Sequence, residues 1–524
     1  MSRRSGPAAL ALAALVAAAA CAPSPQPVGP ERAPVIGILG DGSAGIDDPA
    51  AGVVAAAVSE PLVRRTATEE LEPRLALSVP SFAMGDLELT SDGGDGAAQL
   101  AATFALRDGL TWHDGAPLDA GDVRFAFESD RRATAGSPAR LRADRIDRVE
   151  VLDPLRVRVV YRPGERWDLF ATAPRALPRH MLEGADAEAR ARYDAAPVHA
   201  GPYRIASRSA DAIVLEAFAG HFAGRPPLPR IVVRAFSDRT ALLSALLSGA
   251  IDAVPSPGFN ADLAATLDRS VAGRDLRVLY TQAQSVVMLR FGGRLADPAV
   301  RRAIALAVDR GRTARATFGG RVRIPSAFLV APLWAAAEAG PPAGVDRGAA
   351  RALLEGAGVT RGALGIAELG GQRLVVRLLV SSGGALLEAA RGVAVDIASL
   401  GIAASAEVLP APEVAARVRS GDFDLALLVE SADDPLLATE RYRGVVSPWF
   451  DVLADAAKAA ADRAQARELY AECEREWSQA AAALPLYQVL KVDVVPSWLA
   501  GVRPASHSAP LTWNAGEWRI ATAP

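Results

Sequence analysis

The sequence predicts an α/β protein. Three observations support this class: strand and helix patterns alternate along the 524 residues, half of the residues are apolar, and no repeat of solenoid length is present. The length favours two to four domains or two large lobes, and the apolar content is sufficient for a sizeable core. The 57 basic and 60 acidic side chains give a net charge of −3, which provides no basic surface for nucleic acid.

The first element is an apolar segment over residues 7–20, which follows two arginines and ends at Cys21. It is too short to cross a bilayer comfortably, so residues 1–20 have the pattern of a signal peptide. Small residues before the cysteine and a proline-rich linker over 22–33 resemble a bacterial lipobox, which implies lipidation of Cys21 and cleavage before it. An incidental cysteine in an ordinary secreted protein is the alternative. The arginine pair leaves open export by the general or the twin-arginine route.

Strand and helix patterns begin at residue 35. Strands appear as short apolar or alternating runs, and helices carry apolar residues at spacings of three and four. In the first half these patterns predict strands at 35–39, 103–110, 149–160, 201–205, 231–233 and 251–254, with helices at 50–63, from 120 onward and at 240–248. Asp119 is an N-cap candidate, with Asp122 as its capping-box partner. The Gly/Asp-rich residues 84–100 predict a mobile hairpin loop.

The second half continues the alternation. It predicts helices at 300–310, 349–355 and 386–400, and strands at 374–380 and 423–429. Cys473 lies in a helical pattern and is the one cysteine left after processing, so we expect a buried, inert thiol and no disulfide framework. These elements together predict α/β lobes.

One turn of the chain raises the question of catalysis or metal binding. The turn at His113-Asp114-Gly115 is explained without chemistry, because Asp can bond its own backbone and Gly accepts a positive φ. The other four histidines are scattered without metal-ligand spacing, so we expect no metal site, although a nickel complex held through one histidine stays open. No nucleophile-elbow, Walker or dinucleotide motif is visible, and we therefore expect neither an enzyme nor a cofactor.

Eight segments, in order, resemble one family. The most specific is a strand–turn–helix signature at 104–128 (FALRDGLTWHDGAPLDAGDVRFAFE), followed by shorter matches at 200–203, 247–252, 297–310, 349–358, 400–402, 421–425 and 484–487. They resemble the large extracytoplasmic solute-binding proteins of ABC importers, family 5, which bind peptides, nickel and related solutes. Each segment alone is weak, but their number and order cover essentially the whole mature chain.

The resemblance implies a type II periplasmic-binding-protein fold with two lobes joined by a hinge. Lobe I is then discontinuous, an extra subdomain is inserted into it, and lobe II follows; the bounds are 34–60, 198–280 and 482–524 for lobe I, 61–197 for the insertion and 281–481 for lobe II. In such proteins the ligand binds across both lobes and stabilises the closed state, which docks on a permease.

Residues 430–435 (ESADDP) are the most informative for the ligand. In peptide-binding relatives the corresponding strand end carries an aspartate that pairs with the peptide α-ammonium. Aligned on the Asp-Pro pair at 434–435, this chain has Ser431 at that position, a departure that puts recognition of a free peptide N-terminus in doubt. Glu430 or Asp433 can replace the charge after a shift of one residue; solvated loop carboxylates are the alternative.

Three further residues are candidate ligand contacts. Trp449 offers aromatic contact area to a ligand, or belongs to the core. Asp47 lies in the loop after the first strand, where the family approaches its ligand, or serves a turn. Arg441, near Arg443, can pair with an anionic ligand group, or faces water.

The sequence therefore predicts a monomeric extracytoplasmic lipoprotein, anchored to the cell membrane only through Cys21, that delivers a small, peptide-like solute to ABC permease subunits. A non-transport envelope lipoprotein that retains the fold, with a structural or regulatory role, is the alternative that the departure at Ser431 favours. A secreted hydrolase has no motif in its support.

Overall fold

The computed structural model describes residues 32–40, 49–90, 98–135, 137–163, 175–337, 344–362, 365–382, 384–460 and 462–521. Asp47 and Cys21 lie outside these ranges. Contacts between Cα atoms divide the chain into two compact units. The first contains residues up to Thr281 together with Lys491–Ala505 and the segment from Ala509, and the second contains Gln282–Leu490 and Ser506–Ser508.

The strands of the described residues are numbered in chain order: β1 Val35–Leu39, β2 Val63–Arg65, β3 Leu71–Pro73, β4 Leu87–Thr90, β5 Gln99–Ala105, β6 Ile146–Asp153, β7 Arg156–Tyr161, β8 Tyr203–Arg208, β9 Ala212–Ala217, β10 Arg230–Phe236, β11 Leu276–Phe291, β12 Val359–Arg361, β13 Ala367–Leu369, β14 Gln372–Arg373, β15 Val375–Ser381, β16 Ala403–Leu409, β17 Leu425–Ser431, β18 Ala483–Pro496, β19 Leu499–Ala500 and β20 Arg519–Ile520.

The α-helices of the same residues are α1 Pro49–Val58, α2 Ala120–Arg131, α3 Pro138–Ala143, α4 Arg179–Leu182, α5 Ala187–Ala195, α6 Arg239–Ser248, α7 Ala264–Val271, α8 Pro298–Ala307, α9 Arg310–Phe318, α10 Arg347–Gly356, α11 Gly384–Ala398, α12 Ala411–Ser420, α13 Pro435–Glu440, α14 Pro448–Ala459 and α15 Arg463–Gln479. None of these helices is long and apolar enough to cross a membrane.

The first unit is built on two four-stranded sheets. One has the order β1-β10-β9-β8, with β1 parallel to β10 and the other pairs antiparallel. Its core includes Ile36, Val54 and Trp518. The other sheet has the antiparallel order β4-β5-β7-β6, and Phe104 and Tyr161 are buried in its core.

The second unit contains most of a five-stranded sheet with the order β16-β15-β17-β11-β18. β15 runs parallel to β16 and β17, whereas β11 pairs antiparallel with β17. Beside the sheet, an aromatic core joins Phe328, Tyr442, Phe450 and Trp477. Cys473 is buried in the same core, as the sequence predicts.

The α/β class predicted from the sequence is confirmed, and so is the capping box of α2. The Asp119 side chain accepts from Gly121 N–H at 2.7 Å, and Asp122 accepts from Asp119 N–H at 3.1 Å. The strand pattern at 149–160, which the sequence interrupts at Asp153-Pro154, forms two strands, because Asp153 Oδ1 accepts from Leu155 N–H and closes a turn between β6 and β7.

Several predicted bounds are wrong. The helix predicted to reach residue 63 ends at Val58, because Pro61 disfavours helical backbone before it and the Val58 carbonyl accepts from Gly201 N–H at 2.7 Å. Part of the loop predicted at 84–100 is β4, which pairs with β5. The helix predicted at 300–310 is two helices, since Asp309 caps a new one at Arg310.

The predicted lobe boundaries stay a prediction. The second unit extends nine residues past the predicted end at 481, to Leu490. The reason is that β18 is continuous from Ala483 to Pro496 and its sequence carries no break at the point where the chain passes between units.

Candidate functional site

The polar residues predicted for the ligand gather at the end of β17 and the start of α13, in the second unit. We call Glu430, Ser431, Asp433 and Arg441 the β17-end cluster. β17 begins as a buried apolar strand at Leu425–Leu427, and its second half is more exposed, with Val429 and Ser431 facing solvent. Asp434 then caps α13, accepting from Leu436 N–H at 2.9 Å, which fixes the direction in which the chain leaves the sheet.

Glu430 is buried and both of its oxygens are engaged. Arg290 Nε donates to one oxygen at 2.7 Å, and the Tyr442 hydroxyl donates to the other at 2.9 Å. Arg290 also lies 4.3 Å from the centre of the Tyr442 ring. Burial, together with the Glu430 charge, raises the pKa of Tyr442 well above its ordinary value, so this phenol stays a donor. The charge of Glu430 is thus balanced within the chain.

Asp433 is half-buried and is held by neutral donors. Ser508 N–H donates to Oδ2 at 3.2 Å. The Gln284 amide, oriented so that its oxygen accepts from Leu333 N–H, donates to Oδ1 at 3.2 Å. These two contacts help to hold the carboxylate at the end of β17.

Ser431 and Arg441 complete the cluster. Ser431 is exposed, and its hydroxyl accepts from Asp433 N–H at 3.3 Å. Arg441 lies at the end of α13 and donates to the Ser431 carbonyl oxygen. The cluster therefore combines an accessible carboxylate, a hydroxyl and a guanidinium within one turn of chain, which suits a ligand that bears both donors and acceptors.

Trp449 is the second residue of α14. Its side chain is 55% exposed, so it is not part of the aromatic core that its neighbour Phe450 enters. The alternative that Trp449 is a core residue is wrong, because the helix turns that position outward. Whether it contacts a ligand stays a prediction, as it does for Asp47, which is outside the described residues.

Two residues of β11 that hydrogen-bond to the cluster were not predicted from the sequence. Arg290 lies 140 positions from Glu430, and Gln284 precedes it on the same strand. The available signal was a single arginine in the otherwise apolar run from Val286 to Phe291, because a charge in a buried strand requires a partner. The pairing of β11 with β17 supplies it.

The histidine turn of the first unit is structural, as predicted. Asp114 accepts from Ala116 N–H at 3.1 Å and contacts His180 Nε2 at 2.8 Å, while Gly115 has a φ of 89°. Burial lowers the pKa of His113 to about 4, so its ring is neutral at pH 7. Across the described ranges, no group of three or more His, Cys, Asp or Glu residues is arranged to hold a metal ion.

The first unit also contains a cavity of about 680 Å³ between the β1-β10-β9-β8 sheet, α1 and the segment 175–200, which we call the unit-one cavity. Ser59 Oγ and His199 Nδ1 lie 3.3 Å apart in its wall. Burial lowers the pKa of His199 to about 4, which makes it a weak base, and the described residues supply no carboxylate to orient its ring. This pair therefore lacks what nucleophilic catalysis requires.

Comparisons with known proteins agree with this architecture. Residues 70–472 match the family described as bacterial extracellular solute-binding proteins, family 5. A Brucella ovis protein named as an ABC transporter peptide-binding protein is 29% identical over 243 residues, which is 44% of this chain and 44% of that protein, so the match spans less than half of its length. A Pseudomonas aeruginosa protein named as a di/tripeptide-binding protein is 26% identical over 449 residues, covering 78% and 81% of the two chains.

Solved structures show the same fold. NikA of Brucella suis, in complex with Fe(III)-EDTA, has a TM-score of 0.77 at 20% identity and covers 93% of this chain and 100% of its own. AppA of Bacillus subtilis, in complex with a nonapeptide, has a TM-score of 0.69 at 19% identity, covering 94% and 99%. The family resemblance carried by the sequence motifs is confirmed: the chain belongs to the bacterial extracellular solute-binding proteins of family 5.

Proposed function

We propose that this protein captures a small, peptide-like solute outside the cytoplasm and delivers it unchanged to the permease subunits of an ABC importer. The observation that carries the proposal is the family match over residues 70–472, together with relatives whose names refer to peptide binding. The family consists of substrate-binding proteins, and the role given to this chain is binding without chemical conversion.

Within the β17-end cluster, Asp433 is the residue we assign to a ligand ammonium group. It is half-buried, so a bound charge is partly desolvated, and Ser508 N–H and the Gln284 amide are among the groups that hold it. Arg441 and the Ser431 hydroxyl are assigned to a carboxylate or carbonyl group of the same ligand. Trp449 supplies apolar contact area, and Asp47 supplies a second carboxylate.

Glu430 is given a supporting role in this scheme. Its oxygens already accept from Arg290 and Tyr442, so binding an ammonium group would require it to share or exchange these partners. By holding the end of β17, it positions Ser431 and the turn to Asp433. Direct contact between Glu430 and the ligand remains the competing assignment.

We further propose that the protein is a monomer held at the outer face of the cell membrane by a lipid on Cys21. The proline-rich linker at 22–33 then gives the folded units a tether of extended chain. A tether of this kind keeps the protein near the permease subunits and raises its effective concentration there.

Calorimetric titration of the purified chain with alanine peptides of two to five residues tests this function. We expect the Asp433→Asn variant to bind the preferred peptide at least tenfold more weakly, a loss of about 1.4 kcal/mol, because the ammonium loses its counter-charge. Asp455→Asn is the matched control, since Asp455 is exposed and pairs with Arg443. The N-acetylated peptide, which has no ammonium, should bind both proteins equally weakly.

Equal affinity of the Asp433→Asn variant for the free peptide would remove Asp433 from the site. Failure of all these peptides, together with no small molecule co-purifying in native mass spectrometry, would contradict solute capture. It would favour the alternative, an envelope lipoprotein without a transport function. Ser431 supports that alternative, because peptide-binding relatives have an aspartate at the corresponding position.

A further inference from the structure

The unit-one cavity is separate from the β17-end cluster and is not used by the proposed function. All its lining residues belong to the first unit, and its volume of about 680 Å³ lies within the range of small-molecule sites. Most of its wall is apolar. Val54 and Val58 come from α1, Ile205 and Ile213 from β8 and β9, and Leu182 from α4.

The wall exposes apolar surface that the core does not cover. Ile205 and Ile213 pack against the core of the sheet and yet remain partly accessible from the cavity side. Empty apolar surface of this kind is unfavourable in water, so an apolar group that fills the cavity would gain free energy by burying it. The occupant therefore has a substantial apolar body.

Four other polar residues of the wall, Ser59, Glu60, Arg175 and His199, are neutral or already neutralised. Ser59 and His199 form an uncharged pair. Glu60 is buried and receives hydrogen bonds from Arg74 at 2.6 Å and from His221 at 3.0 Å. Arg175 donates to Asp130 at 2.8 Å. The interior thus offers no unbalanced charge to a ligand.

The mouth of the cavity carries charges of both signs. Arg208 and Asp211 stand at the turn between β8 and β9, and Arg190 and Asp194 stand on α5. All four are exposed, and none of them has an ion-pair partner among the residues that the structure describes. A ligand head group with one cation and one anion would find complements for both, whereas a head group of net charge would face two like charges.

We propose that the unit-one cavity is a second ligand site, for a single-chain zwitterionic amphiphile whose apolar chain enters between α1 and the sheet and whose head group lies between the arginines and aspartates at the mouth. The site belongs to one unit, so its occupation does not depend on the proposed solute site.

Titration of the full chain with three probes that share a twelve-carbon chain tests the proposal. The probes are dodecylphosphocholine, sodium dodecanoate and dodecyltrimethylammonium chloride, each below its micelle concentration. We expect one dodecylphosphocholine to bind per chain, at least tenfold more tightly than either net-charged probe. Equal or tighter binding of a net-charged probe would overturn the assignment of the head group.

Variants locate the site. Ala55→Phe, which fills the cavity from α1, should weaken dodecylphosphocholine binding at least tenfold, and Ala235→Phe should do so from β10. Ala187→Phe is the control, because Ala187 is exposed on α5 outside the cavity lining. Unchanged binding in either filled variant that retains the wild-type circular dichroism spectrum would overturn the site.

The Arg208→Gln variant tests the head-group contacts. It should bind dodecylphosphocholine more weakly than the wild type does, and its affinity for the cationic probe should not fall. Arg204→Gln on the same strand is its control, since Arg204 pairs with Glu216 and does not line the cavity. Binding of alanine peptides should be unchanged in all these variants. Failure of the cavity proposal would therefore appear in the amphiphile titrations, and failure of the proposed function would appear in the peptide titrations.

Discussion

At the scale of single residues, the ion pair of Glu430 and Arg290 shows how burial determines the role of a charge. The side chains are 8% and 14% exposed, so each depends on the other in place of water. The same carboxylate on a loop would be a good ligand for an ammonium group. Inside the sheet, the main effect of the Glu430 carboxylate is on the stability of the folded protein.

Glu430→Gln is therefore expected to lower the free energy of unfolding by about 3 kcal/mol, because it leaves the Arg290 charge buried without its counter-charge. Urea unfolding followed by circular dichroism measures this, with Glu440→Gln, which changes an exposed pair to Arg443, as the control. A variant that kept its stability and lost affinity for a cationic solute would instead assign Glu430 to the ligand.

Glu474 gives a second prediction at this scale. It lies buried in α15 and accepts from Leu329 N–H at 3.1 Å, and burial raises its pKa to about 8. The folded protein therefore holds a proton here that the unfolded chain loses near pH 4.5. Stability should fall as the pH rises from about 4.5 to 8 and be insensitive to this group above that range.

Glu474→Gln removes this dependence, since an amide is neutral at every pH and can still accept from the backbone. At pH 7 the variant should be more stable by an amount on the order of 3 kcal/mol. Thermal unfolding between pH 4 and 9 measures the slope, with the exposed Glu472→Gln as the matched control. An unchanged slope would show that Glu474 is ionised in the folded protein.

The sequence identified the two acids of the β17-end cluster because they occur together with Asp434 within five residues. It could not identify Arg290 as their partner, because that contact depends on the register of β11 against β17 across 140 residues. It could not foresee the unit-one cavity either, since its wall comes from strands and helices that no local pattern connects.

At the scale of elements, the packing of α1 against the start of β8 depends on one glycine. A Cβ at Gly201 would lie 2.4 Å from the carbonyl carbon of Val58, which is backbone and cannot rotate away. At Gly52, within α1, an added Cβ would meet only Pro510, at 3.6 Å.

Gly201→Ala should therefore destabilise the protein by about 2–3 kcal/mol, because the end of α1 must move away from β8. Gly52→Ala should stabilise it by about 0.5–1 kcal/mol through its higher helix propensity. Chemical unfolding of both variants measures the difference, and a Gly201→Ala protein as stable as the wild type would contradict the packing.

The presence of helices and strands was predicted better than the residues at which they begin and end. The capped helices and the apolar strands follow from local spacing, as the Asp119–Asp122 capping box illustrates. Ends depend on distant contacts: α1 stops where its last carbonyl meets Gly201, 143 positions further along the chain, and β4 exists because β5 pairs with it.

At the scale of the whole molecule, the ordered motifs identified the family although the solved structures reported above share about a fifth of their residues with this chain. The motifs include capped helices as well as turns, as at 104–128 and 297–310. The boundaries between the two units were harder to predict from the sequence, because β11 and β18 each pass from one unit to the other within a continuous strand.

The Cys21→Ala variant tests the proposed anchor. We expect it to leave the membrane fraction and to appear in the soluble extracytoplasmic fraction, because one residue carries the lipid. Cys473→Ala is the control and should remain with the membrane. Continued tight membrane association of Cys21→Ala would contradict lipidation.

The burial of Cys473 has a practical consequence. Burial in the apolar core, and to a smaller extent the neighbouring Glu474, raise the pKa of this thiol to about 12, so it is almost never a thiolate at pH 7 and reacts slowly with maleimides. A cysteine introduced on the surface of each unit could then be coupled to a fluorescent dye while the native thiol is left in place. Energy transfer between such a pair would report, in solution and in real time, how the separation of the two units responds to each candidate solute.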